Sequence, residues 1–473
     1  MRPGCLVFLV LGWLAIGQTA HAQSPEEPSD GIWMTSADRS RMLARQALPS
    51  RPAEPIDRTI EVALDARCQR MRGFGATLTD GSIEAIESLP LADQESLLDE
   101  LFLPPPRGLG WNVIRLPVGA SDLSAQVYTY NDTETPDPEL KRFDPGIARE
   151  RVVPLLQRIA KRSSDIVWMA TPWTAPSWMK DNGQSKGGAL RREHYAAYAK
   201  YWVKYLRFME SQGIRFAYLT VQNEPENPHN QPSMVMNAKE QSEFIGVNLG
   251  PALQEAGLET QILAFDHNCD HPEYPMRVLE DRRSAPFTRG SAFHLYAGQP
   301  SAMSQVHAKF PDREIQFTEQ WVSSDGDFGG DLMWHAENVL IGATRNWAQS
   351  VLEWNVAADG QQRPHTDGGC DKCLGALTID GGVRRNVAYY ILAHGSRFVP
   401  PGSIRLETRD LKNRSESMQA VAFLTPQERL VVILVNPDPR EANIEIRAGS
   451  QTLHARIPSR TLATVVGSLP TAR

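Results

Sequence analysis

Eight short β-prone runs alternate with longer helical patterns between about residues 73 and 390, and this alternation strongly limits the folds open to the chain. The runs are 73–78, 111–118, 166–171, 216–222, 261–266, 291–296, 314–318 and 351–356. Strands that alternate with helices indicate βα units joined into a parallel sheet. Eight of them predict an α/β fold, the (β/α)₈ TIM barrel. An open doubly wound sheet is the alternative, but the G-x-G-x-x-G turn of its dinucleotide-binding form does not occur in the sequence.

The clearest helical pattern lies at 193–210, between the third and fourth runs. Its apolar and aromatic residues recur every three or four positions, and Gly213 follows its end. Such a stripe predicts a helix with one buried face, so its aromatic residues are expected in the core rather than in a binding site.

Both ends of the chain lack this alternation. Residues 57–66 and four pieces of the tail are β-prone, with no helix-length periodicity between them. We therefore predict a small β-sandwich that is built from both chain ends and packed against the barrel. The expected division is an N-terminal segment at 23–72 that contributes strands to the sandwich, the barrel at 73–395 and the C-terminal sandwich at 396–473.

The first 22 residues have the pattern of an export signal. Arg2 precedes an apolar run at 5–16, and Ala20-His21-Ala22 has the small residues of a cleavage site. The run is short for a membrane span, which makes a retained N-terminal anchor the weaker alternative. We predict cleavage after Ala22, a secreted or periplasmic protein, and no integral membrane segment in the mature chain.

Charge and composition exclude several classes of protein. The 473 residues carry 49 Lys+Arg against 56 Asp+Glu, a formal net charge of −7, and 41% of them are hydrophobic. This composition is ordinary for a globular protein and unlike that of collagenous or disordered chains. The mild acidity and the lack of lysine or arginine runs argue against nucleic acid as a partner. The sequence leaves the oligomeric state open.

Two cysteines, Cys370 and Cys373, form a C-x-x-C pair. A zinc site would need two further ligands, and no second C-x-x-C or well-spaced histidine pair is present. In an exported protein we therefore favour a local disulfide that stiffens a glycine-rich loop. Cys68 and Cys269 could pair with each other or remain thiols.

Chemistry in a TIM barrel collects at the carboxyl ends of the strands. Two glutamates lie there, Glu224 just after the fourth run and Glu319 just after the seventh. The same part of the barrel carries aromatic and hydrogen-bonding side chains, namely Arg115, Asp122, Trp173, Asn223, His294, Tyr296 and Trp354. Aromatic rings stack on the apolar faces of sugars while polar groups bind their hydroxyls, so this set predicts a carbohydrate site.

Hydrolysis of a glycosidic bond needs one carboxyl group to protonate the leaving oxygen and a second carboxylate to attack the sugar or to activate water. Strands four and seven are three apart around an eight-stranded ring, so Glu224 and Glu319 can face each other across it. This chemistry requires no metal ion or organic cofactor.

Seven segments are similar to glycoside hydrolase family 30 and run in that family's order over about residues 73–405. They are GFGATLTD (73–80), IRLPVGASDLS (114–124), TPWTAPSWMKDNG (171–183), TVQNEPE (220–226), FHLYAG (293–298), FTEQW (317–321) and YYILAHGSRFVPPGSIR (389–405). The last segment resembles the family's passage from the barrel into a β-sandwich. The glucosylceramidase and endo-β-1,6-glucanase branches are the ones that the chain resembles.

The resemblance implies a retaining β-glycosidase. Glu224 matches the family's general acid/base, and Glu319 matches its nucleophile, which would form a covalent glycosyl-enzyme. Asn223 would bind the 2-hydroxyl of the sugar. Arg115 would support the ionised nucleophile, and a purely structural ion pair is the alternative for this residue.

Five further residues match binding positions of the family. Asp122, Trp173 and Trp354 would hold the sugar in the −1 pocket, where the bond to be broken begins. His294 and Tyr296 would lie beside the nucleophile. Core packing remains the alternative for the two tryptophans.

Three functions are left open by the sequence. The first is hydrolysis of β-glucosides, including glucosylceramide or β-1,6-glucan, in sphingolipid or carbohydrate metabolism. The second is a xylan-active or other β-glycosidase of the same family, and the third is a catalytically silent carbohydrate-binding protein. Segment 363–373 departs from the family loop on the leaving-group side, so a preference for ceramide does not carry over. For an enzyme, we expect a raised pKa for Glu224 and a bell-shaped rate profile on the acidic side of neutrality.

Overall fold

The computed structural model describes residues 30–51, 55–411 and 418–469. The predicted signal peptide at 1–22 lies outside these residues. Within them, no helix has the length and the apolar character that crossing a membrane requires.

All eight predicted runs are strands of one closed parallel barrel, and the predicted fold class is confirmed. Three strands precede the barrel, namely β1 (Gly31–Ser36), β2 (Ala44–Gln46) and β3 (Arg58–Arg70). The barrel strands, with the two-residue strand β11 (Val322–Ser323) between the last two, are β4 (Gly73–Thr77), β5 (Val113–Pro117), β6 (Val167–Thr171), β7 (Phe216–Thr220), β8 (Gln261–Cys269), β9 (Thr288–Gly298), β10 (Glu314–Glu319) and β12 (Ser350–Asn355). They follow one another around the ring in chain order, and β12 closes it by pairing with β4.

Helices connect most of the barrel strands. They are α1 (Asp80–Glu87), α2 (Leu91–Phe102), α3 (Val153–Ala160), α4 (Tyr195–Ser211), α5 (Ala238–Glu243), α6 (Gly250–Glu255), α7 (Glu273–Glu280), α8 (Ser301–Lys309), α9 (Phe328–His335), α10 (Gly342–Arg345) and α11 (Val387–Ser396). Helix α4 carries the predicted stripe, and its Tyr198, Trp202 and Tyr205 are fully buried. Gly213 lies beyond its end with a φ of 84°, a conformation that glycine adopts without a steric cost.

The loop after β12 carries short strands at the mouth of the barrel. They are β13 (Ala357–Ala358), β14 (Cys373–Leu374), β15 (Leu377–Ile379) and β16 (Val383–Arg385). Strand β14 pairs with β11, which follows β10 directly. This pairing joins the end of the β12 loop to the segment that continues from Glu319.

Strands from both chain ends form a nine-stranded sheet beside the barrel. The strands of the tail are β17 (Ile404–Leu411), β18 (Gln419–Leu424), β19 (Arg429–Asn436), β20 (Ala442–Ala448), β21 (Gln451–Ile457) and β22 (Thr461–Ser468). The order across the sheet is β2-β1-β22-β19-β18-β17-β3-β20-β21. Strand β1 pairs with β22, and β3 lies between β17 and β20, so the N-terminal strands are integral to this sheet.

Strand β19 shows how the sheet joins the barrel. Successive side chains of a strand point to opposite faces. Val431, Ile433 and Val435 belong to the large core of the barrel, whereas the alternate positions Leu430, Val432 and Leu434 lie in the separate core of the sandwich. One strand therefore contributes to both cores.

A buried histidine strengthens this contact. His394 of α11 has one ring nitrogen 2.9 Å from Thr35 Oγ1 of β1 and the other 2.8 Å from Thr464 Oγ1 of β22. Complete burial lowers the pKa of His394 to about 3, so the ring is neutral. The histidine thus links a barrel helix to strands from both ends of the chain.

Candidate active site

A cavity of about 250 Å³ opens at the carboxyl ends of the barrel strands. Its lining residues are Asp122, Trp173, Glu224, Asn227, Asn230, Asn268, Tyr296, Glu319, Trp321, Trp354, Cys370 and Cys373. Arg115, Asn223 and His294 lie buried behind this lining. The structure therefore brings together every residue that the sequence assigns to the carbohydrate site.

The two glutamates face each other across this cavity. An oxygen of Glu224, an oxygen of Glu319 and a ring nitrogen of His294 all lie within 4.8 Å of one another. All three residues are buried, with Glu224 and Glu319 each about 5% exposed. Because two carboxyl groups and an imidazole lie this close together, the charge of each group shifts the pKa of the other two.

Arg115 of β5 is the central cation of the site. Its Nη1 donates to Glu319 Oε2 at 2.6 Å, and its Nη2 donates to Asn223 Oδ1 at 2.5 Å and to Asp266 Oδ2 at 2.9 Å. The guanidinium also lies 4.9 Å from the centre of the Trp173 ring. The planar fork of arginine suits this geometry, since it can serve several acceptors at once. Arg115 therefore both supports Glu319 and forms a buried ion pair with Asp266.

Asp266 lies at the end of the fifth run in the sequence, at the mouth of the barrel, but the sequence assigns it no role in the site. Besides Arg115, it accepts hydrogen bonds from Thr220 Oγ1 and Thr318 Oγ1, both at 2.6 Å. Burial alone would raise the pKa of Asp266, but Arg115 and His294 lower it well below its usual range. An aspartate at the end of the apolar run 261–266 was the available signal, and only its partners on other strands reveal its place.

The backbone is strained at Glu224 and at Asp266. Glu224, Phe265 and Asp266 have φ values of 46°, 76° and 71°, in the left-handed region that side chains disfavour. The amide of Glu224 donates to the carbonyl oxygen of Asp266 at 2.9 Å, which ties the two strained segments together. Such conformations persist where surrounding contacts enforce them, and they concentrate at functional sites.

Two asparagines orient Glu224 from the loop that follows it. Asn227 Nδ2 and Asn230 Nδ2 donate to Glu224 Oε2 at 2.8 Å and 2.7 Å. His294 Nδ1 lies 3.3 Å from the other oxygen, Glu224 Oε1. Both asparagines follow Glu224 within six residues, but the sequence does not assign them to the site, because the geometry of the loop decides whether their side chains turn back to Glu224.

The pKa of Glu224 departs from the expected direction. Burial raises the pKa, but the hydrogen bond and positive charge of His294 outweigh it and, with Asn227, lower it to about 2. Burial also opposes protonation of His294, yet the charge of Glu319 and the hydrogen bonds to Asp266 and Glu224 raise the pKa of the ring to about 9. The expected raised pKa of Glu224 is therefore wrong for the free site. The two shifts have opposite directions, and the groups that carry them, His294 Nδ1 and Glu224 Oε1, lie 3.3 Å apart.

Glu319 has a different environment. Tyr296 Oη donates to Glu319 Oε1 at 2.8 Å, while Arg115 occupies Oε2. Burial and the nearby Glu224 carboxylate raise the pKa of Glu319, against the opposing charges of His294 and Arg115. The Glu319 carboxylate thus lies close to the like charge of Glu224 and is held in place by a hydrogen-bond donor on each of its oxygens.

Asp122 and two tryptophans form another part of the lining. The rings of Trp173 and Trp354 lie 5.3 Å apart at 33°, and both pack with Leu123. Asp122 Oδ1 is buried and accepts no hydrogen bond from any residue of the described ranges. Burial and the charges of Glu319 and Glu224 raise the pKa of Asp122 to about 7. A buried oxygen on the cavity wall suits a donor from a ligand, such as a sugar hydroxyl.

Glu224, His294 and Glu319 are also close enough to hold a metal ion. A metal ligand must give up its proton, whereas the pKa of His294 is raised to about 9. A metal ion would also share Glu319 with the guanidinium of Arg115 at 2.6 Å. The donor set therefore fits proton transfer better than metal binding, and the absence of a cofactor stays a prediction.

The described cysteines include one bonded pair. Cys370 and Cys373 are joined by a disulfide, and both line the cavity. Cys68 on β3 and Cys269 at the end of β8 are free thiols and do not pair with each other.

Facing carboxylic acids, an arginine on one of them and a tryptophan pair beside them form the working parts of a glycoside hydrolase. Comparison with known proteins agrees with this class. The family model for the glycosyl hydrolase family 30 TIM-barrel domain matches residues 71–399, and the model for the family's beta sandwich domain matches 402–465. The chain belongs to glycosyl hydrolase family 30.

Relatives of the chain include two kinds of glucosidase. It is 31% identical to an endo-1,6-beta-D-glucanase of Aspergillus fumigatus over 440 residues, which cover 88% of each chain. It is 27% identical to the lysosomal acid glucosylceramidase of Mus musculus over 413 residues, which cover 81% of this chain and 78% of that one. Among solved structures, the endo-beta1,6-glucanase BT3312 has a TM-score of 0.86 at 30% identity, covering 93% of this chain and 100% of that chain.

Proposed function

We propose that this glycoside hydrolase is a retaining β-glucosidase with Glu319 as nucleophile and Glu224 as general acid/base. The observation that carries the proposal is the separation of the two carboxylates, whose nearest oxygens lie within 4.8 Å. Retaining enzymes hold the two groups about 5–5.5 Å apart, whereas inverting enzymes need about 6.5–9.5 Å to admit a water molecule. The short separation leaves the sugar between the two carboxylates and favours direct attack by one of them.

The hydrogen bonds of Glu319 support its part as nucleophile. Arg115 and Tyr296 donate to its two oxygens, so the carboxylate is oriented, and both donors oppose the rise in its pKa that burial and Glu224 cause. Attack on the anomeric carbon would use the oxygen that faces the cavity and form a covalent glycosyl ester. Asn223, held by Arg115 at its carbonyl oxygen, keeps its amide group for the 2-hydroxyl of the sugar.

His294 supplies the proton for the acid step. In the free site His294 Nε2 bonds to Asp266 Oδ1 at 3.1 Å, and Nδ1 faces Glu224 Oε1. Transfer of the Nδ1 proton makes Glu224 the acid that protonates the leaving oxygen. Once Glu319 is esterified, its negative charge is gone, and this charge is the largest factor that raises the pKa of His294. Glu224 then acts as the base that takes a proton from water, while the water oxygen bonds to the anomeric carbon and the ester bond to Glu319 breaks. With the negative charge of Glu319 restored, the proton returns from Glu224 to His294.

The substrate that we propose is a β-1,6-linked glucan. The cavity lining next to Glu224 is polar, since it includes Asn227 and Asn230, whose amide groups donate to Glu224. A sugar leaving group offers hydroxyls to such a surface, whereas a ceramide offers mainly apolar chains. Relatives described as endo-1,6-beta-D-glucanases agree with this choice. Glucosylceramide is the second candidate because the described relatives also include glucosylceramidases.

A panel of substrates tests the proposal. The purified chain is assayed with aryl β-glucosides, β-1,6-glucan, glucuronoxylan and glucosylceramide, and the anomer of each first product is followed by NMR. We expect cleavage of the glucosides and of β-1,6-glucan with the β-anomer formed first. An α-anomer as first product contradicts the mechanism, exclusive cleavage of xylan moves the substrate to the xylanase alternative, and binding without any cleavage supports the carbohydrate-binding alternative.

Covalent trapping tests the nucleophile. A 2-deoxy-2-fluoro β-glucoside with a good leaving group slows both steps, because the fluorine disfavours the oxocarbenium-like transition state, and the glycosyl-enzyme accumulates. Digestion and mass spectrometry should place the label on Glu319. A label on another residue, or none with an active enzyme, contradicts the assignment.

We also propose export with cleavage after Ala22, which is supported by the sequence pattern alone. The N-terminal segment at 23–72, the barrel at 73–395 and the sandwich at 396–473 are the proposed units of the mature chain. Mass spectrometry of protein recovered outside the cytoplasm should give Gln23 as the first residue. A chain that begins with Met1 contradicts the proposal.

A further inference from the structure

The loop after β12 touches several other loops at the mouth of the barrel. The amide of Thr366 donates to the carbonyl oxygen of Asp122 at 2.9 Å, and its hydroxyl donates to the carbonyl oxygen of Gln231 at 2.5 Å. The amide of Ser324 donates to the carbonyl oxygen of Lys372 at 2.9 Å. Segment 363–376, which we name the clasp loop, is therefore bonded to the loops that follow β5, β7 and β10.

The disulfide of the clasp loop reaches the sugar cavity. Cys370 and Cys373 both line it, and Cys373 belongs to the buried cluster that contains Trp173 and Trp354. Only two residues separate the cysteines, so the bond closes a tight ring, and Cys370 packs against the same cluster from a partly buried position. The clasp loop thus places covalently fixed atoms beside aromatic rings that the proposed function assigns to sugar binding.

Gly369 brings the same loop close to Asp122. A Cβ at Gly369 would lie 2.4 Å from the carbonyl oxygen of Asp122 and 2.6 Å from Thr366 Oγ1. No side chain fits there without a shift of one backbone against the other. Asp122 is therefore held from its main-chain side by the segment that the disulfide stiffens.

Resting on the proposed function, we propose that the Cys370–Cys373 disulfide is a wall of the sugar pocket. It holds Asp122 and the Trp173–Trp354 pair in their binding positions, so affinity for the glucosyl unit depends on this bond being formed. The nucleophile is held by Arg115 and Tyr296, and the acid/base is held by Asn227, Asn230 and His294, none of which belongs to the clasp loop. Loss of the bond consequently raises KM and leaves kcat nearly unchanged.

Reduction of the folded enzyme tests the proposal directly. A water-soluble trialkylphosphine attacks one sulfur, the S–S bond breaks, and water converts the phosphorus to its oxide. The phosphine loses two electrons, and the two sulfurs leave as thiols with two protons. Because Cys68 and Cys269 are already thiols, this disulfide is the only one that the reductant meets among the described residues.

We expect the reduced enzyme to show a KM for an aryl β-glucoside about tenfold higher, with kcat within about twofold of the oxidised enzyme. The double variant Cys370→Ser/Cys373→Ser should have the same KM as the reduced enzyme, and the phosphine should not change it. Cys68→Ser should behave as wild type. Wild-type KM after reduction, with mass spectrometry showing the two added hydrogens, overturns the proposal.

A second variant separates the wall from general loosening of the fold. Gly369→Ala should raise KM with the disulfide intact, whereas Gly382→Ala should not, since a Cβ at Gly382 has no atom within 4 Å.

Fluorescence titration with an aryl 1-thio-β-glucoside, which the enzyme does not cleave readily, gives Kd without turnover. An inactive wild type whose Kd still weakens about tenfold on reduction would contradict the proposed function and retain the wall. A Kd that ignores the disulfide in an active enzyme contradicts the wall alone.

Discussion

Strand β10 begins and ends with a buried glutamate, and the two ends show how one residue type serves two purposes. Glu314 at the floor of the barrel is 4% exposed, and Glu319 at the mouth is 5% exposed. They differ in their neighbours. At the floor, every strong contact of the carboxylate is a donor, whereas at the mouth a second carboxylate lies within 4.8 Å.

The floor is electrostatically balanced. Arg72 and Arg289 donate to Glu314 Oε1 at 2.8 Å and 2.7 Å, and Tyr218 Oη donates to Oε2 at 2.6 Å. Burial raises the pKa of Glu314, but these partners more than offset it, and its pKa falls below the usual range. At the mouth the pKa of Glu319 is raised. The carboxylate at the floor is surrounded by donors, whereas the one at the mouth lies next to like charge.

The largest expected effect comes from replacing the glutamate at the mouth of the barrel with glutamine. Glu319→Gln should lower kcat by at least about 10⁴-fold, because an amide cannot form the glycosyl ester. The free energy of unfolding should be unchanged or slightly higher, since repulsion from Glu224 is removed. Steady-state kinetics and urea unfolding measure the two quantities, and a variant with kcat within tenfold of wild type would contradict the assignment of Glu319 as nucleophile.

Asp266→Asn should reduce kcat by about 10²-fold, a smaller effect because Asp266 positions other groups and does not react. The variant removes one carboxylate that raises the pKa of His294, so the proton should leave the ring at lower pH. The alkaline limb of the kcat profile is expected to move toward neutrality. An unchanged limb together with reduced kcat would point to a structural part only.

Asp122→Asn is expected to raise KM by about tenfold or more while making the fold more stable at pH 8. In the folded state the pKa of Asp122 is about 7, above about 3.9 in an unfolded chain. Its stabilising contribution is thus present below about pH 4 and lost as pH rises toward 7. The variant should be roughly 1–3 kcal/mol more stable than wild type at pH 8 and not at pH 4. Equal stability at both pH values would contradict the raised pKa.

Glu314→Gln should leave kcat/KM within about twofold and lower the free energy of unfolding by about 1–3 kcal/mol. Because the folded pKa of Glu314 lies below the unfolded value, its contribution is present above about pH 5 and lost at lower pH. The wild type and the variant should therefore converge in stability as the solution is acidified. A large loss of activity here would show that floor and mouth are coupled.

The sequence predicts the barrel well because each strand is a local pattern. The eight runs repeat an apolar stretch followed by a helix, and the paired glutamates fall at two strand ends. Asp266, Asn227 and Asn230 could not be assigned in this way. Asp266 owes its place to a strained bulge in β8 that turns it toward Arg115, and the asparagines owe theirs to the return of a loop. The raised pKa of His294 was equally out of reach, because it depends on carboxylates from β8, from β10 and from the loop after β7.

The alternating side chains of β19 limit how such enzymes can be recombined. One strand fills two cores, so a barrel transplanted without its flanking sheet would lose the side chains of Val431, Ile433 and Val435. The barrel surface that these side chains cover would then be exposed. Chimeras between relatives should therefore exchange the chain from Gly31 to Ser468 as one cassette. Shuffling of the catalytic part alone would leave both halves of the hybrid with mismatched interiors.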